Sequence, residues 1–252
     1  MSRTPLSVVI PTLDEEANIS DCLASVAWAE ERLVVDSGSR DRTVALAEKA
    51  GARVLVHPWS GYGAQKDWGA AQARHPWILS LDADERVSAA LRDEIQVVAE
   101  RGFIAAAYRV RRESHFAGRL IHHGGWGRDA VTRLYHRDRA RWSDRLVHER
   151  LEVEGAVAML VNPLVHHTYR GLGSYLAKAE RYAELGAREL HRQGVKAHPA
   201  TLALAPVGRF LRMYVLQAGF LDGEAGFLLA VIAAWGVFAK YAHLRELGAS
   251  DR

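Results

Sequence analysis

Ile78-Leu79-Ser80-Leu81-Asp82-Ala83-Asp84-Glu85 is an apolar run that ends in two carboxylates one residue apart. Continued as a strand, it places Asp82 and Asp84 on one face, where both can meet a single cation. A hard divalent ion held by one or two carboxylates keeps positions open for phosphate oxygens, so the pattern points to a nucleoside-diphosphate substrate. Taken alone, the same acids could simply begin a loop and cap the next helix.

The residues upstream supply a context. Leu6-Ser7-Val8-Val9-Ile10-Pro11 reads as a buried strand, followed by Thr12-Leu13-Asp14-Glu15-Glu16 and a helical pattern through Leu23, Val26 and Ala27. Leu33-Val34-Val35-Asp36 is a second strand, the pattern over 44–50 a helix stopped by Gly51, and 53–56 a third strand. Alternation of strand and helix predicts an α/β fold with a mostly parallel sheet flanked by helices. Ligands of such sheets bind beyond the carboxyl ends of the strands, where Asp14, Asp36, Asp82 and Asp84 are expected to emerge.

Three segments carry a family resemblance: Val9-Ile10-Pro11-Thr12-Leu13-Asp14-Glu15-Glu16, Val35-Asp36-Ser37-Gly38-Ser39-Arg40-Asp41 and Leu81-Asp82-Ala83-Asp84-Glu85. In order and spacing they resemble the signature segments of family 2 glycosyltransferases with the GT-A fold. Gly61-Tyr62-Gly63-Ala64-Gln65-Lys66-Asp67-Trp68, Leu146-Val147-His148-Glu149 and 206–241 look like the bacterial lipopolysaccharide-core β-glucosyltransferases of that family. The chain departs from the usual pattern with Ser37 after Asp36, and with Asp where the family often has Asn at positions 14 and 67.

The resemblance implies roles. Pro11, Thr12, Leu13 and Glu15 border the donor nucleoside, Asp36 accepts a hydrogen bond from the base, and Lys66 approaches the diphosphate or only snorkels from a helix. Asp82, Ala83 and Asp84 grip the donor, Asp82 and Asp84 through Mg2+ or Mn2+. Glu149 is the expected base for the acceptor hydroxyl, with Asp129 in reserve. His148 and Trp126 are expected at the acceptor, although Trp126 could equally be a core or rim residue. Gly61 and Gly63 form a mobile lip or a plain turn. His122-His123 and His166-His167 lack the spacing of a zinc set, and one of the second pair either completes the metal shell or is structural. The implied donor is a nucleotide hexose, with UDP-glucose expected, and the implied acceptor a lipid-linked saccharide.

Charge is unevenly spread. Residues 1–100 carry 10 basic against 16 acidic side chains, residues 101–150 carry 12 against 5, and residues 151–252 carry 11 against 9. The middle arginines, among them Arg109, Arg111, Arg112, Arg119, Arg128 and Arg133, either attract a phosphorylated ligand or form a solvated strand face. No nucleic-acid motif accompanies them, so nucleic acid is not an expected partner.

At 252 residues, with Cys22 as the single cysteine, the chain reads as one domain with an appendage. The absence of a signal-like N-terminus leads us to expect a cytoplasmic location. The expected division is a GT-A catalytic domain over 1–172 and a helical region over 173–252. Residues 174–194 have the spacing of an amphipathic helix, 207–220 mixes Arg209 and Arg212 with apolar side chains, and 226–239 carries no charge. That uncharged run is shorter than the roughly 20 residues of a spanning helix, so the region is expected to lie in the membrane interface, the alternatives being a helical hairpin packed on the catalytic domain or an oligomer contact. Two other functions share some of these features. A nucleotidyltransferase normally has a glycine-rich first loop, which 12–16 lacks, and a non-catalytic membrane adaptor would not need Asp82, Asp84 and Glu149.

Overall fold

The computed structural model describes residues 3–116, 118–127, 129–143, 150–169 and 172–250. The chain forms two compact units, Met1–Arg112 with Ala130–His166, and Glu113–Asp129 with His167–Arg252.

The first unit opens with β1 (Leu6–Thr12), α1 (Ile19–Ser25), β2 (Glu31–Asp36), α2 (Thr43–Lys49), β3 (Arg53–Val56), α3 (Tyr62–Gln72) and β4 (Trp77–Ser80). It continues through β5 (Glu85–Val87), α4 (Ala89–Glu100) and β6 (Ala107–Phe116). After β7 (Arg119–Leu120) come β8 (Ala130–His136), β9 (Ala140–Trp142), β10 (Leu151–Val153), β11 (Val157–Met159) and β12 (Leu164–Tyr169). The large sheet has the order β3-β2-β1-β4-β8-β6-β12-β5. The four strands β3, β2, β1 and β4 run parallel, and β8 is antiparallel to β4.

Strand parity explains the two-sided core. Val8, Ile10, Val34, Leu79 and Leu81 face the cluster containing Leu23, Leu91 and Ile95. Their neighbours Val9, Leu33, Val35 and Ile78 face Ala70, Ala73, Tyr135 and Trp142. A strand covered on both faces is apolar at nearly every position, which is why β1, β2 and β4 stand out in the sequence. The chain steps from β1 outward to β2 and β3, then returns to place β4 on the other side of β1. The switch point therefore lies between β1 and β4, the place where open α/β sheets bind ligands.

Some local expectations change. The expected helix through Val26 and Ala27 stops at Ser25, because the Ser25 hydroxyl donates to the Cys22 carbonyl at 2.7 Å and accepts from Val87 N at 3.1 Å. The fourth strand stops at Ser80, so Asp82 and Asp84 stand in a turn instead of on a strand face. Gly51, at φ +77°, ends α2 as expected.

The second unit contains β7, which pairs with the end of β6, and three helices, α5 (Leu172–Arg192), α6 (Pro199–Leu211) and α7 (Gly223–Ser250). Phe116, Ile121, Tyr175, Ala225, Leu229 and Ile232 form its core. The expected uncharged segment 226–239 is the middle of a single 28-residue helix, which polar residues prolong: His243 Nε2 meets Glu180 Oε1 on α5 at 2.7 Å. Among the described residues, Gly219–Ala249 is the one segment long and apolar enough to cross a membrane, and 33% of its most apolar window is buried within the chain.

Gly69 sets how closely α3 lies on the sheet. A Cβ there would stand 2.6 Å from Val9 Cγ1 and 2.8 Å from Val35 Cγ2. Gly69→Ala is expected to lower stability by about 1–3 kcal/mol, read as a lower urea midpoint at unchanged m-value.

Candidate active site

Two loops at the carboxyl ends of β1 and β2 are sewn together. Asp36, buried at the end of β2, accepts from Gly38 N (2.9 Å) and Ser39 N (2.8 Å) with one oxygen, and from Ser39 Oγ (2.5 Å) and Thr12 Oγ1 (3.2 Å) with the other. Its lone pairs are thus engaged by the chain itself, and a nucleotide base would have to replace one of these donors. Asp14 adopts the left-handed region at φ +55°, which Asp tolerates better than most residues, so this loop needs no glycine. Its carboxylate accepts from Arg40 N at 2.7 Å, its own N–H donates to Ser39 Oγ at 2.9 Å, and Glu16 N donates to Asp41 at 2.9 Å. Pro11 and Leu13 are half-buried beside them, and Glu15 N donates to Thr43 Oγ1 at 2.7 Å.

The acidic turn follows β4. Glu85 N donates to the Asp82 carbonyl and Asp82 N to Glu85 Oε2, both at 3.0 Å, which closes the turn and leaves Ala83 and Asp84 at its tip. Arg86 fixes it from behind, donating to the Ala83 carbonyl at 2.7 Å and to the Asn18 carbonyl at 2.9 Å. Asp82 meets two buried cations: Lys66 Nζ on α3 at 3.0 Å and Arg133 Nη2 on β8 at 2.5 Å. The same Arg133 nitrogen lies 2.7 Å from Glu85 Oε1, and Arg112 Nη1 approaches that oxygen at 3.4 Å. Lys66 is 2% exposed and its ammonium stands 4.5 Å from the Trp142 ring centre, so it does not snorkel.

Burial works against the charge on Asp82, but Arg133, Lys66 and Arg112 together outweigh it and hold its carboxyl well below the usual carboxylate range. A carboxyl with a depressed folded-state pKa contributes stability that is complete above its unfolded value of about 4. That contribution is lost only as pH falls through the depressed value. Cys22 packs behind the turn, 3.8 Å from the Asp82 carbonyl, and burial pushes its thiol pKa up, so it is an inert neutral thiol.

Asp84 has a different surrounding. β12 pairs with β5 so that His166 stands opposite Glu85, and His166 Nε2 comes within 3.5 Å of Asp84 Oδ2. One carboxylate and one imidazole, both largely buried, are a donor pair that suits Mn2+ better than Mg2+, which prefers oxygen alone, when diphosphate oxygens and water complete the shell. No group of three or more such side chains able to hold a metal by themselves occurs among the described residues.

The other expected site residues divide. Glu149 and His148 lie outside the described residues. Trp126 and Asp129 belong to the second unit, where the Trp126 and Tyr175 rings meet edge to face at 6.4 Å. His122 N and His123 N, with His123 Nδ1, bind the Asp222 carboxylate, and His167 stands 5.4 Å from the His115 ring. Asp67 accepts from Trp142 N at 3.1 Å. Gly63 is inside α3, where a Cβ would meet the Ser143 carbonyl at 2.5 Å, so it serves close packing and forms no lip. Glu85 and Arg86, without an assigned place in the sequence reading, build the turn together with Arg133, which is 4% exposed and pairs with Asp82 and Glu85 instead of forming a solvated strand face. A clue existed for Arg133 in a basic side chain directly before the apolar Leu134 and Tyr135 of a buried strand.

Asp36→Asn turns an amide NH2 toward N–H and O–H donors. It is expected to cost about 1–3 kcal/mol, measured by chemical unfolding, with the loss persisting at neutral pH.

Comparisons with known proteins bear on this geometry. The sequence profile described as "Glycosyl transferase family 2" matches residues 7–152. An uncharacterised glycosyltransferase of Rickettsia bellii is 30% identical over 259 residues, spanning 96% of this chain and 86% of the relative. The lipopolysaccharide core biosynthesis glycosyltransferase LpsC of Rhizobium meliloti is 29% identical over 254 residues, spanning 95% and 94%. The crystal structure of S. aureus TarS gives a TM-score of 0.51 at 14% identity, covering 98% of this chain and 55% of that one. A mycobacterial protein gives 0.50 at 19% identity, covering 77% and 76%. The last two likenesses concern the fold.

Proposed function

Since the chain belongs to glycosyl transferase family 2, we propose that it moves a hexose, glucose, from UDP-glucose to a membrane-anchored saccharide of the lipopolysaccharide inner-core kind. The observation that carries this reading is the acidic turn at the β1–β4 switch point, with Asp84 beside His166 and the cations Lys66 and Arg133 buried behind Asp82. The similarity to LpsC supports the acceptor class.

In this reading Pro11, Thr12, Leu13 and Glu15 border the nucleoside and Asp36 shapes the base pocket. Lys66 and Ala83 line the diphosphate end. Asp84, with Asp82 beside it and His166 opposite, would hold Mg2+ or Mn2+. When bound, that ion supplies positive charge to the diphosphate as it leaves. Glu149 takes the proton of the acceptor hydroxyl on the face away from the diphosphate, so the anomeric centre inverts. His148 and Trp126 position the acceptor. The catalytic domain is 1–172. The helical region 173–252 is membrane-interfacial on the cytoplasmic side, a role supported by exposed Leu204, Val207, Leu211, Leu216 and Leu221 alongside Arg209 and Arg212.

A panel of nucleotide sugars with purified full-length protein, lipid-linked acceptor and Mn2+ tests the reading. UDP release is expected with UDP-glucose and only when acceptor is added, whereas release of pyrophosphate would indicate nucleotidyl transfer and contradict it. Asp84→Asn should abolish metal-dependent nucleotide binding in calorimetry, with unchanged binding excluding Asp84 as a ligand. Glu149→Gln should lower turnover by about 10²–10⁴ while donor affinity stays near that of the native protein. Full-length protein should co-sediment with anionic liposomes and keep part of that binding at high salt, because apolar insertion is not screened.

A further inference from the structure

The ion pairs behind the acidic turn have a consequence for how its two aspartates divide their work. Asp82 offers one oxygen to Lys66 at 3.0 Å and the other to Arg133 at 2.5 Å, so both oxygens already face a cation of the chain. Asp84, two residues on, faces His166. Lys66, Arg133 and Arg112 all stand within ion-pair distance of Asp82 or Glu85. A metal ion drawn to Asp82 would have to compete with Lys66 and Arg133.

Arg133 is the link. It rises from β8, is 4% exposed, and reaches Asp82 and Glu85 with one nitrogen. These two acids are also the residues whose backbone and side chain close the turn. Holding them 2.5 and 2.7 Å from one nitrogen fixes the span of the turn, and with it the direction in which Asp84 points toward His166.

Resting on the donor reading above, we propose that Arg133 is a positioning residue for the diphosphate end of the site. It locks Asp82 and Glu85 as the base of the turn, so that Asp82 acts as an anchor, and Asp84 with His166 are the side chains presented to the cation that accompanies a nucleoside diphosphate. Arg133 itself touches neither donor nor metal.

Removing Arg133 alone would leave the buried Glu85 with only the longer Arg112 contact at 3.4 Å, so the informative variant is Glu85→Gln/Arg133→Gln, which removes both charges and retains hydrogen-bonding side chains. Calorimetric titrations of full-length protein with UMP, and with UDP plus Mn2+, separate the nucleoside contacts from those at the turn. The double variant is expected to unfold near the native temperature and to bind UMP like the native protein. Its affinity for UDP with Mn2+ should fall by about 10–100-fold, the usual scale for losing a residue that orients a ligand. Arg133→Lys, whose single nitrogen can bridge both acids, should recover part of that loss. Native affinity for UDP with Mn2+ in the double variant, or tighter binding, would overturn the proposal, as would an Arg133→Lys protein that folds but behaves worse than the double variant. If the native protein itself binds UMP but gains nothing from diphosphate and Mn2+, the donor reading fails, and the inference with it.

Discussion

Charge that has been taken out of water must be answered by charge, and the acidic turn after β4 is where this chain meets that requirement most sharply. Glu85 is fully buried, Arg133 and Lys66 nearly so, and each would be strongly destabilising without its partner. Their pairing joins three elements far apart in sequence, α3 through Lys66, the β4–β5 turn through Asp82 and Glu85, and β8 through Arg133. The apolar core brings those elements together, and the ion pairs fix how they meet. A hydrophobic substitute could match the stability, but it could not hold Asp82 between two cations.

The topology and the charge serve the same end. Because β4 returns to the side of β1 opposite β2, the loops after β1 and β4 leave the sheet on either side of a crevice. One of them is tied to the loop after β2 by Asp14, Glu16 and Asp41, which supply acceptors to backbone N–H groups, and by Asp36, which accepts from the Thr12 hydroxyl. Acids there spend their lone pairs on shape, whereas Asp84 faces an imidazole. Much of the acidic surplus of the first hundred residues is thus structural, and among these acids the proposed metal ligand Asp84 is the one set against a histidine.

Much of the first unit was legible because its strands are covered on both faces and so read as continuous apolar runs. That edge of the sheet was legible too, since the runs of β2 and β4 lead into acids, Asp36 and Asp82. What escaped the sequence was long-range or side-chain specific. Alternation along a strand was extended past Ser80 to Asp82 and Asp84, but the Asp82–Glu85 hydrogen bonds close a turn there. Lys66 and Arg133 looked like side chains that could reach solvent. Their partners are 16 and 51 residues away in the chain, beyond any local pattern. The final helix was read by its uncharged stretch alone, although Lys240, His243 and Glu246 prolong it on a face where His243 finds Glu180. Polarity ended the pattern in the sequence without ending the helix.

The central claim is that a cation carried with the donor is received by Asp84 and His166 while Asp82 remains with Lys66 and Arg133. Anomalous diffraction from crystals of the full-length protein grown with UDP and Mn2+ tests it directly. The account predicts a manganese peak within bonding distance of an Asp84 oxygen and His166 Nε2, about 2.0–2.3 Å away, with the Asp82–Arg133 pair intact. A peak bound to Asp82 with Arg133 displaced, or bound at neither aspartate, would contradict it.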